Sequence, residues 1–360
     1  MRATIRDPYP VYIGAGLLEG FDFKTFGASS FVVITDSNVD KLLFSRLQQN
    51  HSLKQYKTHK IVIPAGEQSK TLSQAEHILR HLAKNAVDRE TIILALGGGV
   101  IGDLTGLVAA LYKRGVRYVQ IPTTLLAQVD SSLGGKTAVN LPEAKNMVGI
   151  TKDPVAVITD LTALNSLTPI ELQNGYSEII KYGMIFDKKL FAYLEKHIDE
   201  PDIKVNARLV KTSARIKLSI ARKDPNEKEY RKILNYGHTV GHALETSSDH
   251  SLSHGQAVAL GMIAEGFIAN KKHLLSKKSM DRQNRLIEHL KLPKLGASVD
   301  NNLIELMRRD KKSKLGELYF VLPKSVGKVK QKHGQVAFAI EESLVLEALE
   351  FLTDFVNQAK

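Results

Sequence analysis

The chain has 360 residues, 43% hydrophobic and 24% charged, a globular composition long enough for two domains; with no cysteine, disulfides, thiolate metal sites and cysteine nucleophiles are excluded. No apolar run reaches the roughly eighteen residues of a membrane span, and MRATIRDPYPVYIG lacks the apolar centre of a signal peptide, so the expectation is a cytoplasmic protein without membrane contact. A formal charge of +12 attracts polyanions, yet Lys and Arg are spread along the chain without a nucleic-acid-binding signature, and an anionic small substrate suits the field better.

Through residue 168, short β-branched runs alternate with helical patterns: FVVIT (31–35), KIVIP (60–64), TIILAL (91–96), YVQIP (118–122) and VAVIT (155–159). Such alternation predicts parallel pairing and an α/β domain. Asp36 closes the first run. Pro64 to Lys70 (PAGEQSK) closes the second, and Leu72, Ala75, Ile78, Leu79, Leu82 and Ala86 follow at helical spacing. After the third run comes Gly97-Gly98-Gly99-Val100-Ile101-Gly102-Asp103, a G-x-G-x-x-G match between strand and helix. Glycines there let backbone approach a pyrophosphate, whose charge suits the free N–H groups of a helix start. The acidic residue usual about twenty positions downstream is missing, with Asp36 at an earlier strand end instead. Pro122-Thr123-Thr124 ends the fourth run. Polar residues at several strand ends lie where open α/β sheets bind ligands. The stretch 129–149, VDSSLGGKTAVNLPEAKNMVG, reads as a loop whose Lys136, Lys145 and Asn146 suit anions.

The period then changes, placing a domain boundary at 168/169 and a mostly helical second domain over 169–360, with patterns at 171–186, 205–222, 231–245, 255–270 and 341–357 and one strand-like run, LYFVL (318–322). Glu178 sits in a helix almost apolar all round, so it pairs with Lys181 or holds a metal. On 205–222, Lys217 faces Val210, Ala214 and Ala221, away from the other cations, and needs an anion. Taken as one helix, 231–245 places Arg231, Asn235, His242 and Glu245 within about 60° of His238. His238 and His242 have the spacing to chelate zinc from one face, but the glutamate of a metalloprotease motif is missing between them. His254 opens the next helix.

At this point GGGVIGDLTG, RGVRYVQIPTTLLAQVDSSLGGKTAVN, KNMVG, SEIIKYG, NYGHTVGH and SHGQAVALGM together resemble the 3-dehydroquinate synthase family. The resemblance implies an N-terminal α/β domain with a Rossmann-like parallel sheet that binds NAD, and a helical C-terminal domain that binds metal and substrate. It implies a metal, zinc with cobalt as an alternative, on Glu178, His238 and His254, with His242 on the substrate side. NAD would be met by Asp36, Asn38, Glu67, Lys70, Gly98, Gly99, Val100, Asp103, Thr123, Thr124, Lys136, Lys145 and Ser166. The anionic sugar-acid phosphate substrate would be met by Asp130, Lys136, Asn146, Lys181, Lys217, Arg231, Asn235 and His242, and by Lys311 or Lys312. Arg114 would reach the neighbouring subunit's site in a homodimer. The implied reaction converts 3-deoxy-D-arabino-heptulosonate 7-phosphate to 3-dehydroquinate and phosphate by transient oxidation, phosphate elimination, reduction and internal aldol closure. Tyr176-Ser177 departs from the small pair usual in SEIIKYG's surroundings. The nearest alternatives are a sugar phosphate cyclase of 2-deoxy-scyllo-inosose or valiolone type, a metal-dependent polyol dehydrogenase, and a nucleic-acid-binding protein.

Overall fold

The computed structural model describes residues 4–197, 205–248, 251–290, 292–295, 301–309 and 317–358. By its contacts the chain divides into Met1–Leu172 with Val205–Leu218, and Gln173–Lys204 with Ser219–Lys360. A boundary at 168/169 puts 205–218 in the second half, whereas these residues pack with the first: Ala214 and Leu218 close against Tyr9, Val11 and Val157.

The first unit is built on β1 (Val11–Gly14), β2 (Phe31–Asp36), β3 (Thr58–Ile63), β4 (Ile92–Gly97), β5 (Arg117–Pro122) and, after a hairpin, β8 (Ala156–Asp160). All pair in parallel, in the order β1-β8-β5-β4-β2-β3. The five runs read from sequence are all strands; β1 was not among them, because four residues give too little pattern to read. Both faces of the sheet are covered, which explains the near-continuous apolar runs. Val32, Ile34, Ile93 and Ala95 pack on one side with Ala75, Ile78 and Leu82 of α1 (Leu72–Lys84) and with Ile101, Leu104 and Val108 of α2 (Gly99–Leu111). Phe31, Val33, Ile92, Leu94 and Leu96 face the other side, against Leu17, Phe21, Leu43 and Leu47. From β2 the chain steps outward to β3 and then returns to β4 on the other flank, so the order reverses between β2 and β4. Ligands bind such sheets at the strand ends beside that reversal.

The stretch expected as a loop is largely a hairpin, β6 (Lys136–Leu141) with β7 (Ala144–Thr151). It lies close on α2 because Gly106 has no side chain: a Cβ there would stand 2.2 Å from Thr137 Cγ2. Its β-branched residues are interrupted by Lys, Asn, Ala and Gly, and β7 is mostly exposed, so the strand signal was weak.

The second unit is mostly helical: most of α3 (Pro169–Ile185), α4 (Lys188–His197), the end of α5 (Ala207–Lys223), α6 (His238–Ser247), α7 (His254–Lys271), α8 (Lys277–Glu288), α9 (Asn301–Arg309) and α10 (Glu342–Gln358). The strand Leu318–Val321 pairs antiparallel with Ala337–Ile340. Helix α7 is buried on every side from Ala257 to Gly266. The single helix expected over 231–245 is two pieces: a short 3₁₀ segment, Tyr230–Asn235, and α6, divided at Gly237, whose φ of 78° is left-handed. Arg231 and Asn235 therefore do not share a helical face with His238. No described helix is long and apolar enough to cross a membrane.

Candidate active site

In the second unit, α3 carries Glu178 into full burial, 0% exposed. The geometry has room for both readings of this carboxylate. One turn on, Lys181 is ion-paired with Oε2, while Oε1 lies 3.6 Å from His238 Nε2 and 3.6 Å from His254 Nε2. Ligand atoms of Glu178, His238 and His254 lie within 4.8 Å of one another. Donors about 2 Å from a tetrahedral zinc stand roughly 3.3 Å apart; the two Glu178–imidazole spacings of 3.6 Å are close to that, and the widest spacing, up to 4.8 Å, would have to draw in on binding. The imidazoles are also oriented for it. His238 Nδ1 lies 3.0 Å from Tyr236 O, so it carries the proton and leaves Nε2 as a lone-pair donor. His254 Nδ1 lies 3.5 Å from Glu245 Oε2, the carboxylate–histidine arrangement typical of metal ligands. Desolvation disfavours a charged His254, but hydrogen bonds to Glu178 and Glu245 outweigh it and raise its pKa to about 9; an entering cation must displace that proton.

The helices are locked in place around this group. Asn174 Oδ1 accepts from Ser253 Oγ at 2.6 Å and from Gly255 N at 3.1 Å, pinning the start of α7 to α3. Between α6 and α7 the backbones touch: a Cβ on Gly241 would lie 2.8 Å from Ala257 O, and one on Gly261 only 1.9 Å from Gly237 O. His242 is outside the triad, its ring centre 5.3 Å from that of His238. Arg231 is 2% exposed. Its backbone N–H donates to Asp224 Oδ2 at 3.1 Å and its guanidinium to Pro225 O at 3.1 Å, while Asn235 Nδ2 donates to Glu227 Oε1 at 3.2 Å.

In the first unit the polar strand ends flank the reversal. Asp36 accepts from the N–H groups of Asn38 and Val39 at 2.9 and 3.0 Å. Helix α2 starts at Gly99 with no side-chain cap, so its first N–H groups are open to an anion. A Cβ on Gly98 would press on Thr124 Cγ2 at 3.1 Å, and one on Gly99 on Ser131 Oγ at 3.1 Å; these glycines keep a cradle open. Thr123 Oγ1 and Ser131 Oγ are buried there with no hydrogen-bond partner among the described residues, as atoms awaiting a ligand would be. Ser131 was not singled out from sequence; the signal was its place in VDSS beyond a strand end.

Lys70 Nζ meets Asp103 Oδ2 and Asn146 Oδ1, each at 2.5 Å. Burial pushes the Asp103 carboxyl up, and Lys70 opposes the shift. Asn140, which with Lys136 favoured this family over its nearest rivals in the sequence, ties this group together: it donates to Glu67 Oε1 at 2.7 Å and accepts from Asn146 N at 2.9 Å. Lys217 finds its anion in Asp130, Nζ to Oδ1 2.7 Å. Lys136 opens β6, Lys145 lies in β7, and Ser166 hydrogen-bonds Ala163 O at 2.8 Å. Val100 lies in the first turn of α2, and Arg114 is exposed with a left-handed φ of 63°. Lys311 and Lys312 lie outside the described residues.

The fold, a parallel α/β unit followed by a mostly helical unit, is that of the sugar phosphate cyclases. A solved 2-deoxy-scyllo-inosose synthase, complexed with carbaglucose-6-phosphate, NAD+ and Co2+, is 27% identical with a TM-score of 0.86, covering 95% of this chain and 96% of its own. The 2-epi-5-epi-valiolone synthase of Streptomyces hygroscopicus, solved with NAD+ and Zn2+, is 25% identical with a TM-score of 0.86, over 98% and 99%. Residues 60–174 match the 3-dehydroquinate synthase N-terminal model and 175–313 the C-terminal one. The 3-dehydroquinate synthase of Desulforamulus reducens is 42% identical over 334 residues, 89% of this chain and 92% of that protein. The chain belongs to the 3-dehydroquinate synthase family.

Proposed function

We propose that the protein catalyses conversion of 3-deoxy-D-arabino-heptulosonate 7-phosphate to 3-dehydroquinate and phosphate, with NAD at the glycine cradle of the first unit and zinc or cobalt at Glu178, His238 and His254. The observation that carries this reading is the convergence of two imidazoles on a buried carboxylate in a chain of this family. When bound, the metal supplies Lewis acidity to a substrate hydroxyl and NAD a reversible hydride acceptor. Arg231 offers a fixed, planar guanidinium suited to a carboxylate or phosphate. Lys181 and Lys217 supply further cations, held by Glu178 and Asp130. His242 stands beside the triad without joining it and serves to exchange protons with substrate. Asn235, Lys136, Asn146 and one of Lys311 and Lys312 complete the polar contacts, and Asp36, Asn38, Glu67, Lys70, Val100, Asp103, Thr123, Thr124, Lys145 and Ser166 those of NAD. Arg114 serves the partner's site in a homodimer.

The test is phosphate release from the heptulosonate phosphate with catalytic NAD, before and after chelation, and for His254→Ala. Phosphate without net NADH, lost on chelation and in the variant, supports the reading. No release from metal- and NAD-replete protein overturns the substrate, and hexose and heptose phosphates would then be tried. Net NADH would point to a polyol dehydrogenase.

A further inference from the structure

We infer that Glu265 is a positioning residue for the metal-bearing His238, an inference that rests on the metal reading above. Glu265 lies within α7, a helix buried on nearly every side, and is 0% exposed. A carboxylate there needs strong donors, since burying it without them is costly. It finds donors on the neighbouring helix: Oε2 accepts from Gly237 N at 2.8 Å and Oε1 from Thr239 N at 3.2 Å.

Those two N–H groups bracket His238. They belong to the first turn of α6, which leaves its early N–H groups unpaired and has no side-chain cap of its own. Glu265 supplies the cap from α7, with its charge at the end of the helix dipole where a negative charge is favoured. The contacts run in sequence: the Tyr236 carbonyl holds the His238 ring, and Glu265 holds the backbone at 237 and 239. The peptide plane that aims Nε2 at Glu178 is thereby fixed on both sides. A carboxylate accepts at both oxygens, whereas an amide would turn a donor toward one of the N–H groups and break that end of the clamp.

The test uses the full-length protein and the metal alone. Zinc affinity is measured by chelator competition, and the geometry by the visible absorption of the Co2+-loaded protein, for wild type and Glu265→Gln. NAD affinity and thermal unfolding serve as controls for folding. Glu265→Gln should lower zinc affinity about 10- to 100-fold, the range expected when a group supporting a ligand is lost. It should also change the cobalt spectrum and leave NAD affinity unchanged. Glu265→Asp keeps the charge but reaches only one N–H, and should fall between the two; it decides the matter alone if the Gln variant does not fold. A folded variant with wild-type zinc affinity and cobalt spectrum overturns the role of Glu265 while leaving the metal reading intact. Absence of zinc binding by the wild-type protein overturns both.

Discussion

Lys217 shows how a single side chain's direction carries information. On α5 it points away from the cations of its own helix, is 9% exposed, and donates to Asp130 at 2.7 Å. Replacing it by Met keeps the length of the arm but leaves the Asp130 carboxylate without that counter-charge. Lys217→Met should destabilise the protein by about 2 kcal/mol, less than for a fully buried pair because Asp130 retains some water. Adding Asp130→Asn should recover part of the loss in urea unfolding; additive effects would show that the pair is not coupled. The need for an anion was legible in the sequence. Its identity was not, because Asp130 is 87 positions away and only the fold brings it near. Glu265 left a similar trace, an acid within GMIAEGFIAN, an otherwise apolar helical stretch, and so did Glu178. The partners of Glu265 come from another helix, as do the two imidazoles beside Glu178, whereas Lys181 lies one turn on in the same helix.

At the scale of elements, the break at Gly237 has a measurable weight. Its φ of 78° is costly for any other residue, and a Cβ would lie 2.7 Å from both Met262 Cγ and Val258 O. Gly237→Ala should therefore cost on the order of 3 kcal/mol, combining left-handed strain with overpacking, and lower the unfolding midpoint in urea. A variant as stable as wild type would show that α6 can shift without loss. The segment leading to Arg231 adds a pH effect. Burial alone would raise the Asp224 pKa, but backbone donors at Arg231, Lys228 and Glu229 hold it below the usual carboxylate value. A carboxyl whose pKa is lower folded than unfolded stabilises the fold above the unfolded pKa, and that stability is lost as pH falls. Asp224→Asn should lose stability at neutral pH and less or none in acid, so the gap between variant and wild type should close as pH is lowered through the carboxylate range. A gap constant with pH would remove Asp224 from this account. Regular elements with strong periodicity were readable: the five parallel strands and the helices at 171–186 and 255–270. What escaped was short, as β1 is, or mixed in pattern, as the β6–β7 hairpin is. Residues 231–245 misled because the periodicity continues through Gly237 while the backbone does not.

At the scale of the whole chain, the charge of +12 acts on approach more than on the fold. For an anionic phosphate substrate, kcat/KM should fall by roughly tenfold as salt rises from about 0.02 to 0.5 M, with kcat changing less, because screening weakens long-range attraction. A kcat that falls in parallel would place the salt effect on the chemistry instead. The contact of α6 with α7 through Gly241 and Gly261 also bears on which ion the proposed metal site would prefer. His238 and His254 open these two helices, so the bite of the proposed chelate would follow the distance between two nearly touching backbones rather than the reach of a loop. A methyl group at position 261 would push the helices apart and widen the bite without altering a ligand. Selectivity for ions of different radius can thus be tuned, in evolution or by design, from positions that never touch the ion.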